Sequence, residues 1–178
     1  MHTMFALLFS GLVAQAGGAD GPVSPVVEKM QALSFLVGEW EGEGWMQLGP
    51  QDRKTVKVRE TVQSRLGGRA LLVEGRGTPN ESESGDDHVG HDALALITWD
   101  PRKGEYSMRA ITARNGAVDP KVEVGDKSIV WSFDTPVGGS VRYTIKLNEK
   151  GQWVESGEFS RDGKEWHQFF EMTLTKKK

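Results

Sequence analysis

The sequence predicts an all-β fold, namely an antiparallel up-and-down β-barrel of about ten strands preceded by a short helix. Apolar and polar residues alternate along most of the chain, and turn-forming residues separate the alternating runs. The 178 residues include 22 glycines and 7 prolines, which is typical of many short strands joined by turns. Only the connection over residues 79–91 is long, which favours a meander over a two-sheet sandwich with its longer crossovers.

Composition excludes several classes of protein. The formal net charge of −3 gives no basic field for binding nucleic acid. The absence of cysteine excludes disulfides, thiol catalysis and thiolate metal sites. Apolar residues make up 37% of the chain, which is enough for one core but too few for several membrane spans.

The N-terminal segment resembles a secretory signal peptide. An apolar run over residues 5–14 leads into Ala14-Gln15-Ala16, which places small residues where a signal peptidase reads them. The run is shorter than the roughly 20 apolar residues of a membrane-spanning helix. We therefore expect a signal peptide over residues 1–16, a flexible lead-in over 17–25 and one barrel domain over 26–178, in an exported, periplasmic or secreted protein with no membrane span in the mature chain. The alternative is a loosely docked N-terminus.

Residues 26–36 carry the one helical pattern. Apolar residues recur there at steps of three and four, Ser24 is placed to cap the helix, and Pro25 suits its first position. The segment is too short to be stable alone, so we expect its apolar face to pack on the barrel. The predicted strands that follow span residues 37–48, 54–66, 69–78, 92–100, 104–113, 117–124, 128–135, 140–147, 152–160 and 164–175.

A Gly-x-Trp-x-Gly-x-Gly motif begins the first strand. Gly38, Gly42 and Gly44 lack a Cβ, so the strand can bend sharply there. Alternation places Trp40 on the inward face, where Lys176 of the last strand is positioned to cover its ring. We assign these four motif residues a structural role.

A barrel of about ten strands is wide enough to enclose a ligand cavity. Most inward positions are apolar, but Glu60 and Glu155 share the inward face, and a buried carboxylate is costly unless it is paired or protonated. We therefore predict a site for a small apolar or amphipathic molecule, with Glu60 and Glu155 as polar contacts and Tyr143, Trp131 and Trp153 as walls. The alternative places both carboxylates at a barrel mouth or on a bulge. Arg109 and Arg142 fall on outward positions, which weighs against a fatty-acid clamp.

Histidines offer weaker candidates. His88 and His91, with the neighbouring aspartates, have the spacing of a loop metal site, although acidic, solvated, mobile loops of this kind are common without a metal. His167 falls on an outward position if Trp166, Phe170 and Met172 face inward, and a one-residue bulge would reverse this. The chain contains no Gly-x-Ser-x-Gly, phosphate-loop or His-Glu-x-x-His motif, so we predict a non-enzymatic protein.

The ordered motifs at residues 35–44, 59–61, 66–71, 97–101 and 170–175 resemble lipocalin-like (calycin-like) barrels. They are similar above all to a bacterial family classed as a domain of unknown function, and more distantly to the nitrobindins, ten-stranded barrels that bind haem. The resemblance implies the fold more than the activity. Three functions remain open: a ligand-binding barrel without a cofactor, a haem or metal protein of the nitrobindin kind, and a filled barrel that serves as a structural or interaction module.

Overall fold

The computed structural model describes residues 24–79 and 91–178. The chain begins with helix α1 (Pro25–Gln31) and a 3₁₀ turn (Ser34–Leu36). Eleven strands follow: β1 (Gly38–Gly49), β2 (Asp52–Arg65), β3 (Ala70–Pro79), β4 (His91–Asp100), β5 (Glu105–Thr112), β6 (Gly116–Val118), β7 (Lys121–Gly125), β8 (Ser128–Asp134), β9 (Ser140–Leu147), β10 (Trp153–Ser160) and β11 (His167–Lys176). The predicted signal peptide over 1–16 and most of the lead-in lie outside the described residues.

All eleven strands belong to one antiparallel sheet with the order β6-β5-β4-β3-β2-β1-β11-β10-β9-β8-β7. The first and last strands pair from Trp40 opposite Lys176 to Met46 opposite Phe170, so the sheet curls back on itself into a half-barrel. The predicted antiparallel meander with an N-terminal helix is confirmed. Within the described residues no helix is long and apolar enough to cross a bilayer.

The predicted strand over 117–124 is in fact two strands, so there are eleven strands and not ten. Asp119 and Pro120 separate β6 from β7, and these two strands share no ladder. Proline has no amide hydrogen to donate to a ladder, which explains why the strand is interrupted there. β7 instead lies beside β5 without backbone pairing, and this unpaired boundary is here called the seam.

The N-terminal helical segment closes one end of the half-barrel. The α-helix ends at Gln31 and not at residue 36, and the 3₁₀ turn lets both Leu33 and Leu36 be buried. Ser24 precedes the helix as predicted, but its side chain makes no capping hydrogen bond. The Tyr106 hydroxyl donates a hydrogen bond of 2.7 Å to the Lys29 carbonyl and holds α1 over the start of β5.

Glycines of the first strand allow the close approach of the last one. A Cβ at Gly42 would collide with the Thr173 carbonyl, and a Cβ at Gly44 would lie 2.6 Å from the Glu171 carbonyl. Gly38 has a φ of 139°, a conformation that other residues rarely adopt. The motif therefore serves barrel closure between β1 and β11, in addition to any bending of β1.

The register between β10 and β11 contains a bulge. Gly157 pairs with Phe170 but Glu158 pairs with Gln168, so Phe169 is an extra residue. Trp166, predicted to face inward, therefore packs on the outer face with its ring 4.1 Å from the Arg142 guanidinium. That prediction was wrong because alternation alone cannot show an inserted residue.

Candidate functional site

A cavity of about 780 Å³ lies between the inner faces of the strands. Its volume is within the range of pockets that hold small organic molecules. Leu36 lines it at the end covered by α1, and it extends to the opposite end of the sheet, where Lys54 is exposed. The five residues predicted to contact a ligand all line it: Glu60, Glu155, Tyr143, Trp131 and Trp153.

Glu60 and Glu155, here called the inner carboxyl pair, lie on the cavity wall and are only 8% and 7% exposed. Glu60 is on β2 opposite Trp40, near the end covered by α1. The indole of Trp153 donates a hydrogen bond of 3.2 Å to the Glu155 carboxylate. Among the described residues, no group donates a hydrogen bond to the Glu60 carboxylate.

Burial changes the protonation of this pair. It raises the pKa of Glu60 well above its ordinary value, and the nearby charge of Glu155 raises it further. Burial also raises the pKa of Glu155 to about 7, against the opposing effect of the Trp153 hydrogen bond. Near neutral pH the pair therefore retains protons and offers hydroxyl donors as well as acceptors to the cavity.

Aromatic rings form one side of the cavity, here called the aromatic wall (Trp131, Tyr143 and Phe170). The rings of Trp131 and Tyr143 stack with their centroids 4.2 Å apart and an angle of 14° between planes. Gly157 leaves room for Tyr143, since a Cβ there would lie 2.8 Å from the ring. Burial, assisted by the charge of Glu155, raises the pKa of Tyr143, so its phenol stays neutral.

Trp40 lies behind the cavity lining and is 1% exposed. Its indole donates a hydrogen bond of 2.7 Å to the Leu36 carbonyl, and its ring packs edge-on against Trp153 with centroids 5.7 Å apart. The Lys176 ammonium lies 5.3 Å from the ring centroid, as the sequence predicted. Trp40 thus contacts the helical segment through Leu36, the last strand through Lys176 and the cavity lining through Trp153.

The polar end of the cavity, here called the rim (Lys54, His91 and Arg114), was not predicted from the sequence. Lys54 follows the same alternation as Val56 and Val58, so it shares their inward face, and this signal was available in the sequence. Desolvation lowers the pKa of the His91 imidazole, and the charge of Asp92 opposes the shift only in part. Lys54 and Arg114 therefore carry the positive charge of the rim at neutral pH.

Of the other candidates, only His91 lines the cavity among the described residues. His91 lies at the rim, and His88 lies outside the described residues. The described part of the chain contains no group of three or more histidines and acids that could hold a metal ion. His167 pairs with Phe159 beyond the bulge, so it shares the face of Phe159 and the predicted outward position was wrong because of the extra Phe169; it is nevertheless exposed and does not line the cavity. Glu74 of β3 is exposed, because its neighbour Val73 faces the cavity.

Sequence comparison identifies the family. Residues 27–176 match the family described as "Protein of unknown function (DUF1579)". The chain belongs to the DUF1579 family. This confirms the predicted membership of a family of unknown function. A search of curated proteins gave no match.

A solved structure shares the fold of this DUF1579 chain. Rv2717c from M. tuberculosis superposes with a TM-score of 0.60 over 88% of this chain and 100% of that chain, at 13% sequence identity. At that identity the likeness concerns the fold alone. The likeness therefore does not identify a ligand, and the side chains of the cavity are what indicate the kind of molecule it binds.

Proposed function

We propose that this protein binds a small apolar or amphipathic molecule inside the half-barrel, without catalysing a reaction and without a resident cofactor. The observation that carries the proposal is the cavity of about 780 Å³ lined by both members of the inner carboxyl pair. A fold that only needed a packed core would fill this space, since protein interiors are close-packed. We also propose that the protein is exported, on the strength of the signal-peptide pattern before residue 17.

The lining favours a ligand that is mainly apolar. Aliphatic side chains and the aromatic wall supply most of the surface, and burying such surface contributes about 25 cal/mol per Å². Polar contacts are few and lie at defined positions, an arrangement that orients a ligand in a pocket. The shape and apolar area of the cavity thus determine the class of ligand. The inner carboxyl pair determines how the ligand is oriented.

The carboxyl pair favours a ligand with a hydroxyl or amino group. Glu60 faces the cavity without a donor among the described residues, so a ligand group that donates to it satisfies a buried acceptor. An ionised carboxylate next to the pair would be repelled by Glu155 once that residue is ionised. The competing explanation is a filled barrel in which the pair serves packing only.

The test is titration of the purified protein with apolar amines, alcohols and acids while following tryptophan fluorescence. Trp131 and Trp153 line the cavity, so we expect binding to change emission with saturation. Trp131→Phe should reduce the signal, whereas Trp166→Phe on the outer face should not. If no compound binds, the filled-barrel explanation is correct.

A further inference from the structure

Polarity changes in order along the cavity. On β2, Glu60 of the inner carboxyl pair lies opposite Trp40 towards the end covered by α1, and Lys54 of the rim lies at the opposite end of the strand; His91 and Arg114 line the cavity from β4 and from the chain after β5. Glu60, Val58, Val56 and Lys54 succeed one another on the inward face of β2. At about 3.3 Å per residue, the Cα atoms of Glu60 and Lys54 are about 20 Å apart along the strand.

The rim is positively charged. Lys54 is 59% exposed and pairs with Asp52 at 3.3 Å, while Arg114 has no ion-pair partner among the described residues. Arg53 also borders the cavity, with its guanidinium stacked 3.7 Å over the Trp45 ring. Among the described residues at this end, Asp52 pairs with Lys54 and Asp92 beside His91 pairs with Arg76 at 3.7 Å, which leaves Arg53 and Arg114 as cations without a described carboxylate partner.

We propose that the ligand is a bipolar amphiphile, with a hydroxyl or amino group at its inner end, an apolar body, and an anionic group held at the rim by Lys54 and Arg114. This inference rests on the proposed function and adds the chemistry of both ligand ends and the direction of entry. From the sequence, the outward positions of Arg109 and Arg142 weighed against an anionic ligand, because neither arginine could reach it inside the barrel. The rim removes that objection, because it places cations at the solvent end of the cavity.

The two ends differ in what they accept. A free carboxylate at the inner end would lose its hydration next to two buried acids, whereas at the rim it keeps water and gains two cations. A hydroxyl or amino group at the inner end donates to Glu60. Electrostatics therefore favours the orientation with the anionic group at the rim. The apolar body of the ligand lies against the aromatic wall in both possible orientations.

The experiment compares three compounds of one chain length, dodecanol, dodecanoate and ω-hydroxydodecanoate, with dodecanol kept below its aqueous solubility and the two carboxylates below their micellar concentrations. Binding is followed by tryptophan fluorescence and by isothermal titration calorimetry. We expect ω-hydroxydodecanoate to bind most tightly, because it alone satisfies both ends. Raising the salt concentration should weaken the two anions and leave dodecanol unchanged, since exposed charges are screened.

Variants then assign each end. Lys54→Gln with Arg114→Gln should weaken both anions by about tenfold, equivalent to about 1.4 kcal/mol, and leave dodecanol unchanged. Lys57→Gln with Arg161→Gln removes the same charge from exposed positions that do not line the cavity, and should change none of the affinities. Glu60→Gln with Glu155→Gln should reduce the advantage of ω-hydroxydodecanoate over dodecanoate.

The outcomes separate the two proposals. If the three compounds bind equally well, or the rim variant weakens dodecanol as much as the anions, the bipolar ligand is wrong while the binding function stands. If dodecanoate binds as tightly as ω-hydroxydodecanoate, the inner donor is wrong. If none of these compounds and none of the broader amines, alcohols and acids binds, both proposals fail together.

Discussion

The Glu60 carboxylate lies directly against Gly75 of the neighbouring strand. A Cβ at Gly75 would come within 2.5 Å of one carboxylate oxygen and 2.8 Å of the other. The two residues pair across β2 and β3, so this contact is fixed by the register of the sheet. The absence of a side chain at Gly75 is therefore what lets a carboxyl group occupy the cavity wall.

Gly75→Ala should displace the Glu60 carboxyl group and destabilise the protein by about 1–3 kcal/mol, as overpacking does. Chemical denaturation measures the change. Gly49→Ala is the matched control, since its Cβ would meet only the Asp52 Cβ at 3.8 Å. In a Glu60→Ala background the cost of Gly75→Ala should largely vanish, and equal costs in both backgrounds would contradict the contact.

Trp40→Ala should reduce the free energy of unfolding by about 3–5 kcal/mol, because it removes a buried ring and leaves a cavity. Trp40→Phe should cost less, although it loses the hydrogen bond to the Leu36 carbonyl. Trp45, which is partly exposed, provides the control as Trp45→Ala. A denaturation midpoint that Trp40→Ala leaves unchanged would show that this residue does not support the closed end.

Stability should fall as pH rises from about 4.5 to above 7. Burial raises the pKa of Glu155 to about 7 in the folded protein, so the folded state holds the proton more tightly than the unfolded chain. The resulting stabilisation is complete below the unfolded pKa and is lost as pH rises through the folded value; for Glu155 it amounts to about 3 kcal/mol. Glu60 changes stability in the same direction, because its pKa is also raised.

Denaturation between pH 4.5 and pH 9 tests this dependence. Glu155→Gln should flatten the slope and make the protein more stable than the wild type at the alkaline end. Glu74→Gln, an exposed change on a neighbouring strand, should leave the slope as it is. A wild-type stability that rises with pH over this interval would refute the assignment.

Export should leave a processed N-terminus. Ala14-Gln15-Ala16 predicts cleavage after Ala16, so N-terminal sequencing of protein from its native host should begin at Gly17 or close to it. Ala16→Arg should block processing, because the peptidase accepts small residues there. Recovery of the intact Met1 terminus from the cytoplasm would contradict the prediction.

Alternation of apolar and polar residues was enough to predict most strands and the inward faces of β2 and β10. Glu60 and Glu155 were found in this way, because a charged residue on an apolar face stands out. The same rule misplaced Trp166, since the extra Phe169 reverses the alternation and leaves no mark in the pattern. The same rule predicted one strand across Pro120, where the structure has two, β6 and β7.

The rim shows a different limit of sequence reasoning. Lys54 follows the inward alternation of β2, but an inward position near a strand end becomes a cavity lining only when the neighbouring strands end at the same level. The ladders set His91 opposite Gly77 and Gly77 opposite Val58, so His91 lies four residues along the register from Lys54, and its place in the same cavity lining depends on pairing across β2, β3 and β4. That pairing is a property of the tertiary fold and is absent from any single segment.

The pairing of β1 with β11 affects the folding rate of the chain, and the seam between β5 and β7 offers a way to test this. Among the described strands, every ladder except β1–β11 joins strands that are consecutive in sequence, so most of the sheet forms from local hairpins. The remaining ladder brings together strands from opposite ends of the chain and carries the largest loop-closure entropy. Proteins with such distant pairings fold slowly. Because β6 and β7 share no ladder, a circular permutant that begins at Pro120 would shorten the chain between β1 and β11 and should fold faster without losing a backbone hydrogen bond of the sheet.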